Sequence, residues 1–328
     1  MDRRAFLGAM GAGLLAAPLA AEAQPAGKVW RVAIAYPVGP VEKISELVLL
    51  PELRRLGYVE GQNLVVDRRA GTGRREGYPD LAREIIALKP DVIFATSGRM
   101  AQAFQAITTA IPIVTITSEP VALGLAASLA RPGRNITGFT VDPGTEVVGK
   151  RLELLKEAVP SATRVAFLAS KQAWDGMWGR VMREAADRMG ATTIVATVSD
   201  PIGESEYRRA FAVMAKERAQ ALVVSDHAEG IVNRPLIVEL AVQARLPAIY
   251  AYRVFVEAGG LMAYGFDDAD VRRHVAAYID RILKGARPAE LPFQQPTKFE
   301  LVINLKTAKA LGLTIPQSLL LRADHVIQ

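Results

Sequence analysis

The chain has 328 residues, of which 50% are hydrophobic and 23% are charged, and the formal net charge is +6. This composition is typical of a globular protein and excludes a disordered chain, while the length predicts two domains or lobes. The absence of cysteine excludes disulfide scaffolds, thiol nucleophiles and cysteine-ligated metal centres. The positive charge is spread along the chain, which argues against a nucleic-acid-binding protein.

Residues 1–23 have the pattern of an export signal. Arg3 and Arg4 form a positive start, residues 5–20 are apolar, and Ala21-Glu22-Ala23 supplies the small side chains that a signal peptidase needs. The paired arginines also resemble the twin-arginine motif, so that either export route is open. We predict a protein exported to the periplasm and cleaved after Ala23. The alternative is an uncleaved membrane anchor, although the apolar run is shorter than the ~20 residues of a membrane-spanning helix.

From Val29 onward, short runs rich in β-branched residues alternate with stretches of helical length. The runs are mostly continuous in hydrophobicity, as in parallel strands that are buried on both faces. This alternation predicts an α/β protein with parallel sheets covered by helices. The predicted strands cover residues 32–36, 64–66, 92–96, 113–117, 136–141, 165–169, 193–198, 222–225, 248–252 and 261–264. The predicted helices cover residues 41–56, 77–88, 99–109, 119–130, 145–158, 176–189, 204–218, 230–244 and 268–284.

The second half of the chain weakly repeats the first. Gly57 ends one predicted helix and Gly190 another, and Pro112 and Pro247 precede corresponding strands, each pair being separated by about 130 residues. We therefore predict two Rossmann-like lobes with parallel sheets joined by a hinge. Lobe 1 contains residues 29–139 and 265–287, and lobe 2 contains residues 140–264 and 288–328. The last predicted helix covers residues 305–311 and is followed by a polar tail.

The sequence lacks the usual signatures of catalysis and cofactor binding. No serine lies in a G-x-S-x-G elbow, no G-x-G-x-x-G follows a strand, and His227, His274 and His325 are too widely spaced for a metal cluster. Residues 144–151 have the spacing of a phosphate-binding loop, but Arg151 replaces its Ser or Thr, which favours a plain helix start. We expect no enzymatic activity, no metal and no cofactor.

Five segments in order resemble the ABC-transporter substrate-binding protein family that includes tryptophan- and tyrosine-binding proteins. They are LGYVEGQN at 56–63, SLARPGRNITG at 128–138, GKRLELLK at 149–156, VEAGGLM at 256–262 and QPTKFELVINLKTAKALGL at 295–313. The resemblance runs from about Val29 to the C-terminus. It implies a type I periplasmic-binding-protein fold, in which two lobes close on a small molecule around a hinge. It also implies an ABC permease as partner, and it places Gly149 and Lys150 in a helix without a nucleotide role.

Ligands of open α/β sheets bind outside the carboxyl ends of the strands, which directs attention to the loops there. Hydroxyl groups and backbone N–H groups at helix starts favour a carboxylate, while acidic side chains balance an ammonium group and aromatic ones form flat walls. We assign the carboxylate to the loops at Ser97 and Thr117, and the ammonium group to Asp226 or Glu119. The predicted ligand-binding residues are Tyr36, Ser97, Gly98, Thr117, Ser118, Glu119, Lys171, Trp174, Asp226, His227 and Tyr252.

Three of these loops depart from the family pattern. An Asn-Pro-rich loop of the family is replaced by residues 169–173, an Asp-Pro pair by Asp226-His227, and Gly-Asp-Pro-Val by residues 118–121. The charges added by Lys171 and Glu119 predict a ligand that is more polar than an aromatic amino acid, or differently charged.

These observations predict an exported, monomeric protein that captures an amino acid or another small carboxylate and delivers it to an ABC permease, its sole contact with the membrane. One alternative is a periplasmic protein that presents its ligand to a membrane receptor. A remote alternative is an exported α/β hydrolase. A permease and an ATPase encoded beside the gene would favour transport over sensing, and turnover of a solute would favour the hydrolase.

Overall fold

The computed structural model describes residues 28–37, 39, 43–72, 74–141, 146–199, 202–226 and 228–328. In these residues two β-sheets form, and each has a buried apolar cluster on both of its faces. The predicted α/β class with two lobes is therefore confirmed. The predicted export signal and His227 lie outside the described residues. No helix in the described ranges has both the length and the apolar character needed to cross a bilayer.

The first sheet is entirely parallel, with the strand order β2-β1-β3-β4-β5. Its strands are β1 (Trp30–Tyr36), β2 (Leu64–Ala70), β3 (Val92–Ala95), β4 (Ile113–Thr117) and β5 (Ile136–Thr140). Every residue of β3, β4 and β5 is buried, and β3 is apolar throughout, whereas β4 and β5 also contain buried threonines. The helices that follow the first three strands are α1 (Lys43–Arg55), α2 (Tyr78–Ala87) and α3 (Gly98–Gln105).

The prediction of a helix at residues 119–130 is wrong. Only one turn forms, in which the N–H of Leu123 donates to the carbonyl of Glu119 at 2.9 Å. Gly124 then adopts a left-handed conformation with a φ of 70°, which ends the turn. The carbonyl of Leu123 accepts instead from Nε2 of Gln102 at 2.8 Å, so this segment is tied to α3.

The second sheet has the strand order β12-β11-β10-β9-β8-β6-β7. Its strands are β6 (Arg164–Ser170), β7 (Thr192–Val198), β8 (Ala221–Val224), β9 (Ala248–Tyr250), β10 (Met262–Phe266), β11 (Phe299–Asn304) and β12 (His325–Ile327). The part β7-β6-β8-β9-β10 is parallel and repeats the order of the first sheet, as the repeated sequence predicts, whereas β11 runs antiparallel to β10. The helices are α4 (Glu146–Ala158), α5 (Lys171–Asp175), α6 (Met177–Arg188), α7 (Glu204–Lys216), α8 (Ala228–Val232), α9 (Arg234–Gln243), α10 (Arg253–Glu257), α11 (Asp268–Leu283), α12 (Leu305–Ala310) and α13 (Gln317–Arg322).

The two lobes exchange helices across the hinge. Helix α4 follows β5 of the first sheet but packs on β8, β9 and β10 of the second. Helix α11 follows β10 of the second sheet but packs on α1 and on β3, β4 and β5 of the first. The start of each helix is therefore held at the junction between the lobes.

Residues 288–294 stay on the first sheet, although the sequence prediction assigns them to lobe 2. Gln294 forms two backbone hydrogen bonds with β5. Its N–H donates to the carbonyl of Gly138 at 3.0 Å, and its carbonyl accepts from the N–H of Thr140 at 2.8 Å. Leu291 and Phe293 are buried in the clusters of the first lobe. These hydrogen bonds and apolar contacts hold the segment on the first lobe.

The C-terminal residues are structured, and the predicted polar tail is wrong. Helix α13 buries Leu319 completely, and β12 pairs in parallel with β11. Asp324 accepts from the N–H of Leu301 at 2.7 Å, which fixes the start of β12. The sequence does not indicate β12 as a strand because it has only three residues and is mostly exposed, so it shows no buried apolar run.

Candidate functional site

A cavity of about 1000 Å³ lies between the two sheets. Its walls are the loops that follow β3 and β4 in the first lobe and β6, β7, β8 and β9 in the second. Val141, Phe266 and Glu300, which lie where the chain passes between the lobes, also line it. The carboxyl ends of the parallel strands of both sheets thus face one space, which is where open α/β sheets bind ligands.

The first-lobe wall is built around the start of α3. Ser97 caps this helix, since its Oγ accepts from the N–H of Met100 at 3.3 Å. Thr117, at the end of β4, is buried directly against Gly98, where a β-carbon would lie 2.1 Å from Thr117 Oγ1. Glycine at position 98 therefore allows the end of β4 to approach the first turn of α3. Ser118 and Glu119 continue the wall and are exposed.

The second-lobe wall begins at Ser170, which caps α5 by accepting from the N–H of Ala173 at 3.2 Å. Lys171 lines the cavity, and its Nζ lies 2.6 Å from Oδ2 of Asp175, so that its charge is balanced within the same short helix. Ser225 is buried and Asp226 is half-buried, and both line the cavity at the end of β8. Asp226, which the sequence predicts as a partner of an ammonium group, therefore lines the cavity.

Trp174 on α5 and Trp178 on α6 have different surroundings. Trp174 packs against Phe167 at a ring distance of 6.3 Å and has the guanidinium of Arg183 4.4 Å from its ring centre. Trp178 lines the cavity, and Trp174 is not among the lining residues. The sequence prediction considers a ligand-facing role for Trp174 alone, and the structure adds Trp178 as a candidate wall.

The aromatic residues at the ends of β1 and β9 also differ. Tyr36 is buried in the core of the first lobe and is not part of the cavity lining. Tyr252 does line the cavity, and its ring meets the ring of Phe266 edge-on at 5.5 Å. Because Phe266 ends β10 at the junction, this contact couples the second-lobe wall to the hinge.

Charged residues form the hinge side of the cavity. Glu300 on β11 lies 3.7 Å from Nη1 of Arg253 and 3.6 Å from Nε2 of His325. Burial raises the pKa of Glu300 to about 7, and the nearby carboxylates of Asp267, Asp324 and Glu257 act in the same direction, whereas Arg253 opposes them. At neutral pH the hinge therefore holds a carboxyl group that is close to its titration midpoint.

Arg272, on the first turns of α11, is another charged residue of this side. Its side chain is buried, and Nε lies 3.1 Å from Oδ2 of Asp268. Arg272 is not among the ligand-binding residues predicted from the sequence. The sequence contains a pattern that indicates its burial, because Arg272 shares one helix face with the apolar residues Ala276 and Ile279 at spacings of four and seven.

Eight of the predicted ligand-binding residues lie in the cavity lining, and their contact with a ligand stays a prediction. These eight are Ser97, Gly98, Thr117, Ser118, Glu119, Lys171, Asp226 and Tyr252. Tyr36 and Trp174 lie outside the lining. Within the described ranges no three His, Asp or Glu side chains have an arrangement that could hold a metal ion.

Known proteins are similar to this chain over most of its length. The family model described as ABC transporter substrate binding protein matches residues 47–327. A tyrosine-binding protein of Clostridioides difficile (strain R20291) is 25% identical over 283 residues, which are 82% of this chain and 80% of that protein.

Solved structures give the same result for the fold. A conserved domain protein of Vibrio cholerae is 28% identical, with a TM-score of 0.82 over 91% of this chain and 100% of that one. A Streptococcus pneumoniae ABC domain in complex with L-Trp is 24% identical, with a TM-score of 0.79 over 91% of this chain and 99% of that one. The two-lobed fold of type I periplasmic binding proteins, which the resemblance implies, is confirmed. The chain therefore belongs to the ABC transporter substrate-binding protein family, whose members bind solutes.

Proposed function

We propose that this protein captures a small organic solute, an amino acid or another small carboxylate, between its two lobes and delivers it to an ABC permease. The observation that carries the proposal is the position of the cavity, which is lined by both lobes and by the hinge between them. A solute that contacts both walls favours the closed arrangement, because its contacts with the second wall are made only when the lobes meet.

The cavity has the volume and the mixed lining of a small-molecule site. Hydroxyl groups and a capped helix start lie on the first-lobe wall, Asp226 lies on the second, and Trp178 and Tyr252 supply aromatic surface. Such a set can hold a carboxylate, an ammonium group and an apolar body. Among the relatives, one is named a tyrosine-binding protein and another is a structure with L-Trp, which supports an amino acid or a related acid.

We further propose that the protein works in the periplasm as a monomer, after cleavage behind Ala23, and meets the membrane only through the permease. The export pattern at residues 1–23 supports this proposal. N-terminal sequencing of the protein recovered from the periplasmic fraction checks it. A start at Gln24 is expected, and an intact N-terminus in the membrane fraction contradicts cleavage.

Thermal unfolding of the purified protein in the presence of candidate solutes tests binding. A solute at a hundred times its Kd stabilises the fold by about 2.7 kcal/mol, so we expect a saturable rise in Tm for a subset of amino acids, aromatic acids and short carboxylates. The bound solute should be recovered unchanged. Loss of uptake of that solute on deletion of the gene supports delivery to a permease, whereas unchanged uptake with a lost cellular response favours the sensing role.

A further inference from the structure

Glu300 lines the cavity on its hinge side, and its carboxyl group accepts no hydrogen bond from the described residues. Its side chain is only 12% exposed. Nη1 of Arg253 at 3.7 Å and Nε2 of His325 at 3.6 Å approach Oε2, and both lie beyond the distance of a hydrogen bond. A carboxylate can accept about four hydrogen bonds, and burial without them is costly. Glu300 therefore has room for a donor that comes from the cavity.

The two arginines on the hinge side make their short bonds to other carboxylates. Nε of Arg253 donates to Oε1 of Glu257 at 2.7 Å. Nε of Arg272 donates to Oδ2 of Asp268 at 3.1 Å. Each of these pairs lies one helical turn apart on its own helix, so the helix itself keeps the partners together. The positive charges nearest to Glu300 are thus held by carboxylates that bind them more closely.

The charges of the cavity lining are negative in sum, although the chain as a whole has a net charge of +6. The described lining contains six carboxyl groups and four basic groups. The excess lies on the hinge side, where two arginines face the four carboxyl groups of Glu257, Asp267, Asp268 and Glu300. A cleft lined by one sign of charge, with walls of low dielectric constant, concentrates ions of the opposite sign. The lining therefore attracts cations in a protein that is otherwise basic.

The pKa of Glu300 also indicates a shortage of positive charge around it. Burial raises this pKa to about 7, the carboxylates of Asp267, Asp324 and Glu257 act in the same direction, and Arg253 opposes them. A cation placed beside Glu300 would favour its ionised form and lower its pKa. Binding of a cation and ionisation of Glu300 should therefore strengthen each other.

From this arrangement we infer that the solute carries a positively charged group with N–H donors that binds Glu300, and that the protein selects a basic amino acid or another small organic cation over neutral and anionic analogues. This inference rests on the proposed solute-binding function and adds the class of substrate. An ammonium, guanidinium or amidinium group supplies both the charge and the donors that the carboxylate lacks. The carboxylate of an amino acid keeps its predicted place at Ser97 and Thr117, on the first-lobe wall.

The test compares cations with neutral analogues of nearly the same shape. The pairs are arginine with citrulline, lysine with norleucine, and benzamidine with benzamide, and tryptophan, tyrosine and benzoate are added as solutes without a net positive charge. Affinities are measured by calorimetry at pH 6 and pH 8 for the wild type, Glu300→Gln, Glu300→Asp and Glu217→Gln. Glu217 is the matched control, because its substitution changes the net charge equally, while its side chain is exposed, pairs with Arg164 and is not in the cavity lining.

We expect the wild type to bind at least one cation more tightly than its neutral analogue. At pH 8, Glu300→Gln should lower the affinity for that cation by about tenfold or more and remove the preference. Glu300→Asp should keep part of the preference, and Glu217→Gln should behave as the wild type. A purely structural role of Glu300 would weaken the cation and the neutral analogue alike.

The pH dependence gives a second readout. Because Glu300 becomes neutral as the pH falls through 7, the affinity of the wild type for the cation should drop by about tenfold from pH 8 to pH 6. Glu300→Gln should show a smaller drop. His325, which is charged only when protonated, is present in both proteins, so the difference between them isolates Glu300.

Three results would overturn the inference while solute binding stands: equal affinity of the wild type for a cation and its neutral analogue, an unchanged preference in Glu300→Gln, or tighter binding of tryptophan, tyrosine or benzoate than of every cation. If Glu300→Gln does not fold, the preference in Glu300→Asp and the pH dependence of the wild type decide in its place. If no probe binds the wild type, the inference and the proposed function fail together.

Discussion

Gly98 and Thr117 approach so closely that a β-carbon on residue 98 would lie 2.1 Å from Oγ1 and 2.8 Å from Cβ of Thr117. The contact joins the first turn of α3 to the end of β4, the two elements that form the first-lobe wall. The shape of this wall therefore depends on a residue without a side chain. The first prediction follows from that contact.

Gly98→Ala should destabilise the protein by about 1–3 kcal/mol, because Thr117 must move to accept the added methyl group. It should also weaken solute binding, since Thr117 is part of the cavity wall. Urea unfolding and calorimetry measure the two effects. Gly203→Ala is the control, because its β-carbon meets nothing within 4 Å and its φ is not positive. Equal stability of Gly98→Ala and the wild type would contradict the close contact.

Glu300 should make the stability of the ligand-free protein depend on pH. Burial, with its neighbouring carboxylates, raises the pKa of Glu300 in the folded protein from 4.5 to about 7. The folded state therefore holds the proton more tightly than the unfolded state, and the stabilisation is complete below pH 4.5 and is lost as the pH rises through 7. The loss amounts to about 3 kcal/mol between these limits.

Glu300→Gln should remove this part of the pH dependence, because glutamine stays neutral. Thermal unfolding between pH 5 and pH 8 is the measurement, and the slope of Tm against pH should be smaller in Glu300→Gln than in the wild type. Glu153→Gln serves as the control, since Glu153 is exposed and pairs with Lys150 on the surface of α4. Equal slopes in the wild type and Glu300→Gln would refute the prediction.

Trp178 should report and support ligand binding, whereas Trp174 should not. Of the three tryptophans of the chain, Trp178 alone is among the described lining residues of the cavity. Trp178→Ala should weaken binding by about tenfold, the effect of losing ~1.4 kcal/mol of aromatic contact. Trp178→Phe should abolish the change in protein fluorescence on addition of a non-indole ligand such as benzoate or tyrosine. A lost signal in Trp174→Phe instead would favour the role first assigned to Trp174.

Asp226 should recognise the ammonium group if the solute is an amino acid. Asp226→Asn should lower the affinity for tryptophan by about 30-fold or more, since a desolvated ammonium would lose its charged partner. The affinity for indole-3-propionate, which lacks the ammonium group, should not change. Calorimetry with both ligands measures the difference, and Asp187→Asn on the exposed face of α6 is the control. An equal loss for both ligands would show that Asp226 acts on the structure of the wall and not on the charge.

The hydrophobic pattern predicts β1 to β10, because buried parallel strands are apolar at most positions, but it does not predict β11 and β12. The runs at 92–96 and 222–225, for example, become β3 and β8, which are fully buried in corresponding places of the two sheets. The segment at 119–130 shows the limit of such patterns. It is apolar enough for a helix, but Gly124 and the side chain of Gln102 stabilise a single turn instead, and neither effect is visible in hydrophobicity.

Some residues of the candidate site can be predicted from the sequence and others cannot. Residues at the ends of strands, such as Ser97, Thr117 and Asp226, could be selected from the sequence because parallel strands bring their carboxyl ends to one edge. Arg272 and Glu300 could not, because they reach the cavity only where α11 and β11 come from the opposite lobe. Trp174 lies before the bend at Gly176 and Trp178 after it, and the sequence does not show which of the two lines the cavity.

The class of the fold, its duplication and the family can be read from the sequence, since they follow from local hydrophobic periodicity and from motifs that are continuous in the chain. Which charges are buried at the hinge, where the last strand pairs and which aromatic ring lines the cavity depend on the packing of the whole chain. Those features depend on contacts between residues far apart in the chain, such as Arg272 with Phe94 and Asp324 with Leu301. Burial and the electrostatics that follow from it are properties of the packed molecule and appear only when both lobes are in place.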